Sequence, residues 1–423
     1  VTEHILEARN AKTGSALDRW ARSAFVARLR GVESGRIHLV EEGDGPARAR
    51  FGPADAPLEA TITVRDPKFY RAVAVRGALG GAEAFMDGLW VCDDLTALLR
   101  ILALDLRARA ELDRGPARFV EKGLRVLHAL RANTRRGARR NIAAHYDLGN
   151  EFFELFLDPT LTYSCGIFES DDATLEEASI AKYERVCRKL GLGPSDHVLE
   201  IGGGWAGFAL HAAGRHGCRV TTATLSRAQC DEARERIARA GLAGRVRVLL
   251  EDYRDLRGAY DKLVSIEMIE AVGHRNLDRF FRVCGERLRS DGAMLLQAIT
   301  VQDRDYENSK RSVDFIKRYI FPGGQLVSLG AMARAVARET DLRIVHLEEI
   351  GPHYARTLAR WRERMFQNLG RMRKLGCSPR FLRMWEYYLC YCEAGFRERA
   401  NGAVQMLLEK PRARRAPVLG ALS

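Results

Sequence analysis

"VLEIGGGWAGF", Val198 to Phe208, is the stretch whose reading decides the fold. A short apolar run of strand type passes directly into glycines at 202, 203, 204 and 207 and then into a helical segment. Such glycines permit a tight turn and let a ligand approach the backbone, at a helix amino terminus whose dipole favours negative charge. The turn lacks the Lys and Ser/Thr of a phosphate-binding P-loop.

Working outward, the residue types on either side narrow the ligand. From Gly202 the turn reads G-G-G-x-x-G, near a dinucleotide fingerprint but also near the E/D-x-G-x-G turn that accepts S-adenosylmethionine. Nicotinamide enzymes place an acid about twenty residues later, after the second strand. Here that strand ends in "TTATLSRAQ", which offers hydroxyls and an amide, whereas an acid, Glu200, stands just before the turn. The balance favours a methyltransferase over a dehydrogenase. Further runs, "HVLEI", "RVTTAT", "VRVLL", "DKLVSI" and "AMLLQAI", are spaced by helical stretches at 206–216, 227–240 and 276–289, the pattern of a parallel sheet covered on both faces. The expected fold class is α/β, a doubly wound Rossmann-like class I methyltransferase domain. "LRIVHLEEI" and "VQMLLEK" are expected to add an antiparallel pair at the sheet edge, with helices from about 353 to 400 between them.

The totals bound the rest. A chain of 423 residues with 46% hydrophobic content supports two or three domains. The surplus of 68 Lys and Arg over 55 Asp and Glu, a net charge of +13, suits an anionic partner: nucleic acid, a phospholipid surface or an acidic substrate. Nine cysteines without C-x-x-C pairs suit a reducing compartment and argue against a zinc site, so no metal is expected. No apolar run approaches the ~18 residues of a membrane span, and "VTEHILEARN" lacks the apolar core of a signal peptide. Cytoplasmic placement is expected, with any membrane contact peripheral and at the inner face.

Three segments are expected along the chain. Residues 1–125 mix a helix from Ser15 to Arg30 with short alternating runs such as "RIHLV" and "ATITV" and read as a smaller α+β accessory domain for lipid binding or dimerisation. Residues 126–140 form a basic linker containing "RANTRRGARR", either a solvated connector or a contact for lipid headgroups. Residues 141–423 hold the methyltransferase domain.

Six ordered motifs then carry a resemblance: "HYDLGNEFFELFLDPTLTYSCGIF" (145–168), "VLEIGGGWAGF", "TLSRAQ" (224–229), "EDYRDL" (251–256), "SIEMIEAVGH" (265–274) and "YIFPGG" (319–324). Together they make the chain resemble the cyclopropane-fatty-acyl-phospholipid synthase family, relatives of the mycolic acid cyclopropane synthases, from about Asn141 to Pro411. The resemblance implies S-adenosylmethionine as cofactor. Tyr146, Tyr163 and Ser164 would close over its methionine part, with Glu200, Gly202, Gly203, Gly204, Trp205 and Ala206 beneath it. Thr224, Leu225, Ser226 and Gln229 would reach the ribose, and Tyr253 with Arg254 would flank the adenine. Ser226 also has an ordinary reading as a helix cap, compatible with ligand binding.

The implied reaction delivers a methyl group to a cis double bond of an unsaturated phospholipid acyl chain at a membrane surface. A carbocation forms, and loss of a proton from the added methyl closes a cyclopropane ring. The site must exclude water and hold a base. In relatives that base is thought to be a bound bicarbonate. Cys165 matches its pocket, Glu270 the acid that orients it, and Tyr354 a tyrosine that hydrogen-bonds it. Cation chemistry has no use for a thiolate, so the backbone of Cys165 matters more than its sulfur. His145 is placed either at the anion pocket or as a cap. Cys392, in "YYLCYCEAGF", matches a cysteine once proposed as catalytic and also reads as a small apolar residue on a buried helix.

One departure stands out. Many relatives carry histidine where this chain has Gln297; a carboxamide can donate to an anion yet cannot gain charge. The alternative product is a mid-chain methylene or methyl branch, formed if a hydride shift precedes deprotonation. Remoter alternatives are a nucleic-acid methyltransferase, against which stands the absence of an RNA-binding signature, and a non-catalytic lipid-binding protein. No nucleic acid partner is expected, and a homodimer is possible.

Overall fold

The computed structural model describes residues 15–42, 48–105, 149–416 and 418. They form two compact units by contact: residues 1–130, 312–320 and 358–400 in the first, and 131–311, 321–357 and 401–423 in the second. The carboxyl-terminal helices at 358–400 therefore group with the amino-terminal segment, although they lie between two strands of the second unit.

In the first unit, β1 (Arg36–Glu41), β2 (Arg48–Phe51), β3 (Glu59–Val64) and β4 (Trp90–Cys92) form a sheet of order β2-β1-β3-β4, with β1 and β3 parallel. Ser15 opens the helix Ala16–Leu29 through a reciprocal capping box with Asp18. Its Phe25 packs edge-on against Phe69, 5.1 Å between ring centres, from the helix Lys68–Met86. Arg383, on the helix Pro379–Arg397, donates through Nε to the carbonyl of Met86 at 2.8 Å and so satisfies a helix-terminal acceptor.

The second unit is built on β5 (His197–Ile201), β6 (Arg219–Thr224), β7 (Val246–Leu250), β8 (Tyr260–Ile266), β9 (Leu288–Val301), β10 (Arg343–Glu349) and β11 (Asn401–Glu409). Their order is β10-β11-β9-β8-β5-β6-β7. The five strands from β9 to β7 are parallel, and β11 and β10 add the antiparallel edge pair. Apolar side chains cover both faces: Leu199, Leu263, Phe280, Met294 and Met332 on one, Val198, Val220, Phe208, Leu295 and Ile237 on the other. This is the Rossmann-like α/β core of class I methyltransferases, as the strand pattern predicts.

Chain order places the site. After β5 the chain runs outward through β6 and β7, then returns to lay β8 and β9 on the opposite side of β5. The reversal between β5 and β8 is the switch point at which doubly wound sheets leave a crevice outside their carboxyl ends.

Candidate active site

The residues leaving β5 and β8 at that reversal meet. Beyond Ile201, Gly202 takes φ +89, which favours glycine, and a Cβ there would lie 2.6 Å from Met268 Cγ, just past β8. Gly203 has no room for a side chain either: its Cβ would stand 1.7 Å from Thr222 Oγ1 and 2.7 Å from Glu200 Oε2. The N–H groups of Gly202 and Gly203 both donate to Ala223 O, holding the turn against the end of β6. Ala206, at φ +64, then opens the helix Gly207–His216 without a side-chain cap. Trp205 is buried and donates through Nε1 to Asn150 Oδ1 at 2.8 Å.

Around the turn, Thr224 Oγ1 donates to Gln229 Oε1 at 2.8 Å, and the Gln229 N–H donates to Ser226 Oγ, the cap of the helix Arg227–Arg239. The capping role of Ser226 is thus realised, and the other end of the Gln229 carboxamide faces Gly204. Leu225 is half-buried. Arg254 forms a two-pronged ion pair with the buried Asp252, its Nε and Nη2 at 2.7 and 2.6 Å from the two oxygens. Tyr253 packs its ring on Phe280, and its buried hydroxyl has no hydrogen-bond partner among the described residues; burial pushes its pKa up to about 12. Glu200 is buried, and that burial raises its carboxyl to about 7.

"LTYSCGIF" lies on the other side. The Tyr163 ring is 5.5 Å from Phe153 and 6.3 Å from Phe321. Ser164 Oγ accepts from Lys182 Nζ at 2.9 Å; this buried lysine lies over the Tyr183 ring, and desolvation lowers its pKa to about 8. The segment is clamped by the start of the helix Gly351–Gln367: the Gly166 N–H donates to Thr357 Oγ1 and the Phe168 N–H to His353 Nδ1.

A single carboxylate gathers the polar groups of this region, and it is Glu267. Its Oε1 accepts from the Cys165 N–H at 3.0 Å and from Gln297 Nε2 at 2.8 Å, and its Oε2 accepts from Tyr354 Oη at 2.6 Å. Sheet register explains the arrangement. Ile266 pairs with Gln297, whose carbonyl accepts from the Glu267 N–H, and Gln297 pairs with Gln405 on β11. Gln405 Nε2 donates to Gln297 Oε1 at 3.0 Å, and Lys189 Nζ to Gln405 Oε1 at 2.8 Å, so the Gln297 amide has its nitrogen aimed at Glu267.

Glu270, the acid singled out by its motif, sits apart from those donors. Its Oε1 accepts from the Ile299 N–H at 2.6 Å, and its Oε2 is sealed from solvent without a partner among the described residues. Burial first, then the charge of Glu267, push it up to about 8. Cys165 Sγ is fully buried, faces the carbonyls of Gly166 and Ile350, and has its pKa raised well above the thiol range by burial. That sulfur is therefore held as a thiol. Cys392 lies on the helix Pro379–Arg397 of the first unit, its thiol likewise raised by burial. His145, Tyr146 and the arginine run 131–140 lie outside the described residues.

Sequence reasoning passed over Glu267, Lys182 and Asp252. A buried lysine reads as a surface residue in any polar stretch, and Asp252 was hidden beside its own partner Arg254. Glu267 carried one signal: a carboxylate placed directly behind a parallel strand at the reversal of strand order. All nine cysteines are free. Among the described residues, Cys187, His211 and His216 are close enough to share an ion, but Glu184 already bridges both imidazoles at 3.1 and 3.0 Å.

Residues 133–406 match the family model described as mycolic acid cyclopropane synthetase. The chain belongs to that family. It is 39% identical over 364 residues to the tuberculostearic acid methyltransferase of Mycobacterium tuberculosis, covering 82% of each chain. It is 36% identical over 343 residues to the cyclopropane-fatty-acyl-phospholipid synthase of Escherichia coli, covering 80% of this chain and 85% of that one. Among solved structures, a cyclopropane synthase of Mycobacterium tuberculosis superimposes with a TM-score of 0.61 at 33% identity, over 64% of this chain and 98% of that one. As a member of this family the protein is an S-adenosylmethionine-dependent methyltransferase. Gly203, whose Cβ would strike Thr222 and Glu200, keeps the turn free of a side chain, and the Tyr253 hydroxyl has no hydrogen-bond partner among the described residues; both suit such a nucleoside sulfonium. Among the described residues no helix is long and apolar enough to cross a membrane.

Proposed function

We propose that this enzyme transfers the methyl group of S-adenosylmethionine to a cis double bond in an acyl chain of an unsaturated phospholipid, closing a cyclopropane ring. The observation that carries the reading is a base, the Glu267 carboxylate, held by Cys165 N–H, Gln297 and Tyr354 beside the glycine turn. S-adenosylmethionine supplies the electrophilic methyl. The alkene attacks that methyl, and the resulting cation survives only where water is scarce. The Tyr163 ring packs against those of Phe153, Phe156 and Phe321, and this apolar cluster beside Ser164 and Cys165 supports a water-poor site.

A second product has its own support. Gln297 stands where many relatives are expected to carry histidine, and one relative at 39% identity is a tuberculostearic acid methyltransferase. A hydride shift before deprotonation would give a mid-chain methylene branch, which a separate reductase could saturate to methyl. The net charge of +13 supports docking on anionic headgroups, each well-placed basic residue contributing about 1 kcal/mol. We infer peripheral attachment at the inner membrane face, no nucleic-acid partner, and an accessory role for residues 1–125 in lipid holding or in pairing of two copies.

Methyl-labelled S-adenosylmethionine incubated with the enzyme and vesicles of unsaturated phosphatidylglycerol tests this reading, with RNA and DNA as parallel acceptors. Label in the acyl chain is expected; label in nucleic acid, or none in lipid, overturns it. Proton spectra of the released fatty acids separate shielded ring protons from olefinic methylene protons.

A further inference from the structure

We propose that Glu267 is the resident anion and the proton acceptor of this site, occupying the place that a dissociable bicarbonate would otherwise need. The inference rests on the methyl-transfer reading above and names its base.

The donors decide it. An external anion at this position would have to be held by the Cys165 N–H, the Gln297 carboxamide and the Tyr354 hydroxyl. All three already point at one covalently tethered carboxylate, at 3.0, 2.8 and 2.6 Å. A second anion against it would meet like charge in a poorly solvated site and find no donor left among them. The Gln297 amide cannot turn to serve another ligand without breaking its bond from Gln405 at 3.0 Å. The backbone is bent to the same end: Glu267 takes φ +50, a conformation that a long side chain adopts only where its surroundings hold it.

The free valence follows from counting lone pairs. An ionised carboxylate offers about four acceptor sites. Among the described residues Oε1 receives two hydrogen bonds and Oε2 one, so the remaining lone pair belongs to Oε2, beside the Tyr354 hydroxyl. In the proposed step the alkene π pair forms a bond to the transferred methyl as the sulfur–carbon bond breaks, leaving neutral S-adenosylhomocysteine and a carbocation. Oε2 of Glu267 takes one proton from the added methyl. The electrons of that C–H bond close the ring on the cationic carbon, and Glu267 becomes a carboxylic acid that loses its proton before the next turnover. Burial raises the Glu267 carboxyl above its ordinary value, the three hydrogen bonds only partly opposing this, and a carbocation is so strong an acid that such a carboxylate suffices as its base.

The test compares wild type with Glu267→Gln and Glu267→Gly. At φ +50 glycine relieves strain, so the second variant is expected to fold. In buffer stripped of carbon dioxide, wild type keeps full turnover on unsaturated phospholipid vesicles, and Glu267→Gln loses at least about 100-fold while still binding S-adenosylmethionine. Glu267→Gly falls equally and recovers on addition of bicarbonate or formate. Carbon-13 bicarbonate spectra give a readout independent of activity: line broadening with Glu267→Gly and none with wild type. Broadening with wild type, loss of wild-type turnover on removing carbon dioxide, or near-normal turnover of Glu267→Gln would each overturn the proposal. A wild type that methylates no lipid would sink the methyl-transfer reading instead, and the bicarbonate spectra would still decide whether Glu267 fills the anion site.

Discussion

The Tyr354 hydroxyl lies 2.6 Å from Oε2 of Glu267 and donates to it, joining the first turn of one helix to the residue directly after a central parallel strand. The pair fixes which oxygen of the carboxylate remains available, because the other already has two donors.

Tyr354→Phe removes one hydrogen bond to a charged group and leaves the ring in place. Such bonds are worth about 1.5–3 kcal/mol, so turnover should fall about 10- to 100-fold with S-adenosylmethionine affinity held. Calorimetric titration beside steady-state rates checks both halves; a parallel loss of affinity would place Tyr354 in cofactor binding.

Gly203→Ala puts a methyl group into Thr222 Oγ1. Overpacking of this kind costs about 1–3 kcal/mol, and the turn proposed to face the cofactor must shift. Lower thermal stability together with loss of S-adenosylmethionine binding is expected; unaltered affinity would show that the ligand does not lie on this backbone.

Stability should depend on pH through Glu270. Burial raises its pKa from 4.5 to about 8, so the folded chain keeps a proton that the unfolded chain releases. This contribution is fully present below the unfolded carboxyl pKa and is lost as pH rises to about 8. Glu200, raised to about 7 by its own burial, acts in the same sense. Denaturant midpoints measured from pH 4.5 to 8.5 should decline, and Glu270→Gln should flatten part of that decline. An unchanged slope would mean that Glu270 is ionised in the folded chain.

Cys165 should resist alkylation. Its sulfur is fully buried and protonated, so iodoacetamide at pH 8 should leave it unmodified in the native enzyme and label it after unfolding, as read by peptide mass spectrometry. Rapid labelling in the native state would contradict the assignment of its backbone, not its thiol, to the site.

Much of this was legible because it is local. Apolar runs separated by helices point to a parallel sheet, the glycines at 202, 203 and 204 mark a tight turn, and Ser226 marks a helix start. What escaped depends on partners distant in sequence. Glu267 and Glu270 are equivalent acids in one motif, and only the pairing of Ile266 with Gln297, with Tyr354 arriving from a later helix, separates them. Lys182 reads as solvated until Ser164 is seen against it. The grouping of 358–400 with the amino-terminal segment rests on contacts such as Arg383 to Met86, which no periodicity announces.

The most direct test of the central claim uses S-adenosylmethionine bearing a fully deuterated methyl group, with unsaturated phospholipid vesicles, and weighs the methyl-derived carbon of the product. Transfer followed by deprotonation of that carbon leaves two deuterons on it. Retention of all three, or no deuterium in lipid at all, would contradict the account.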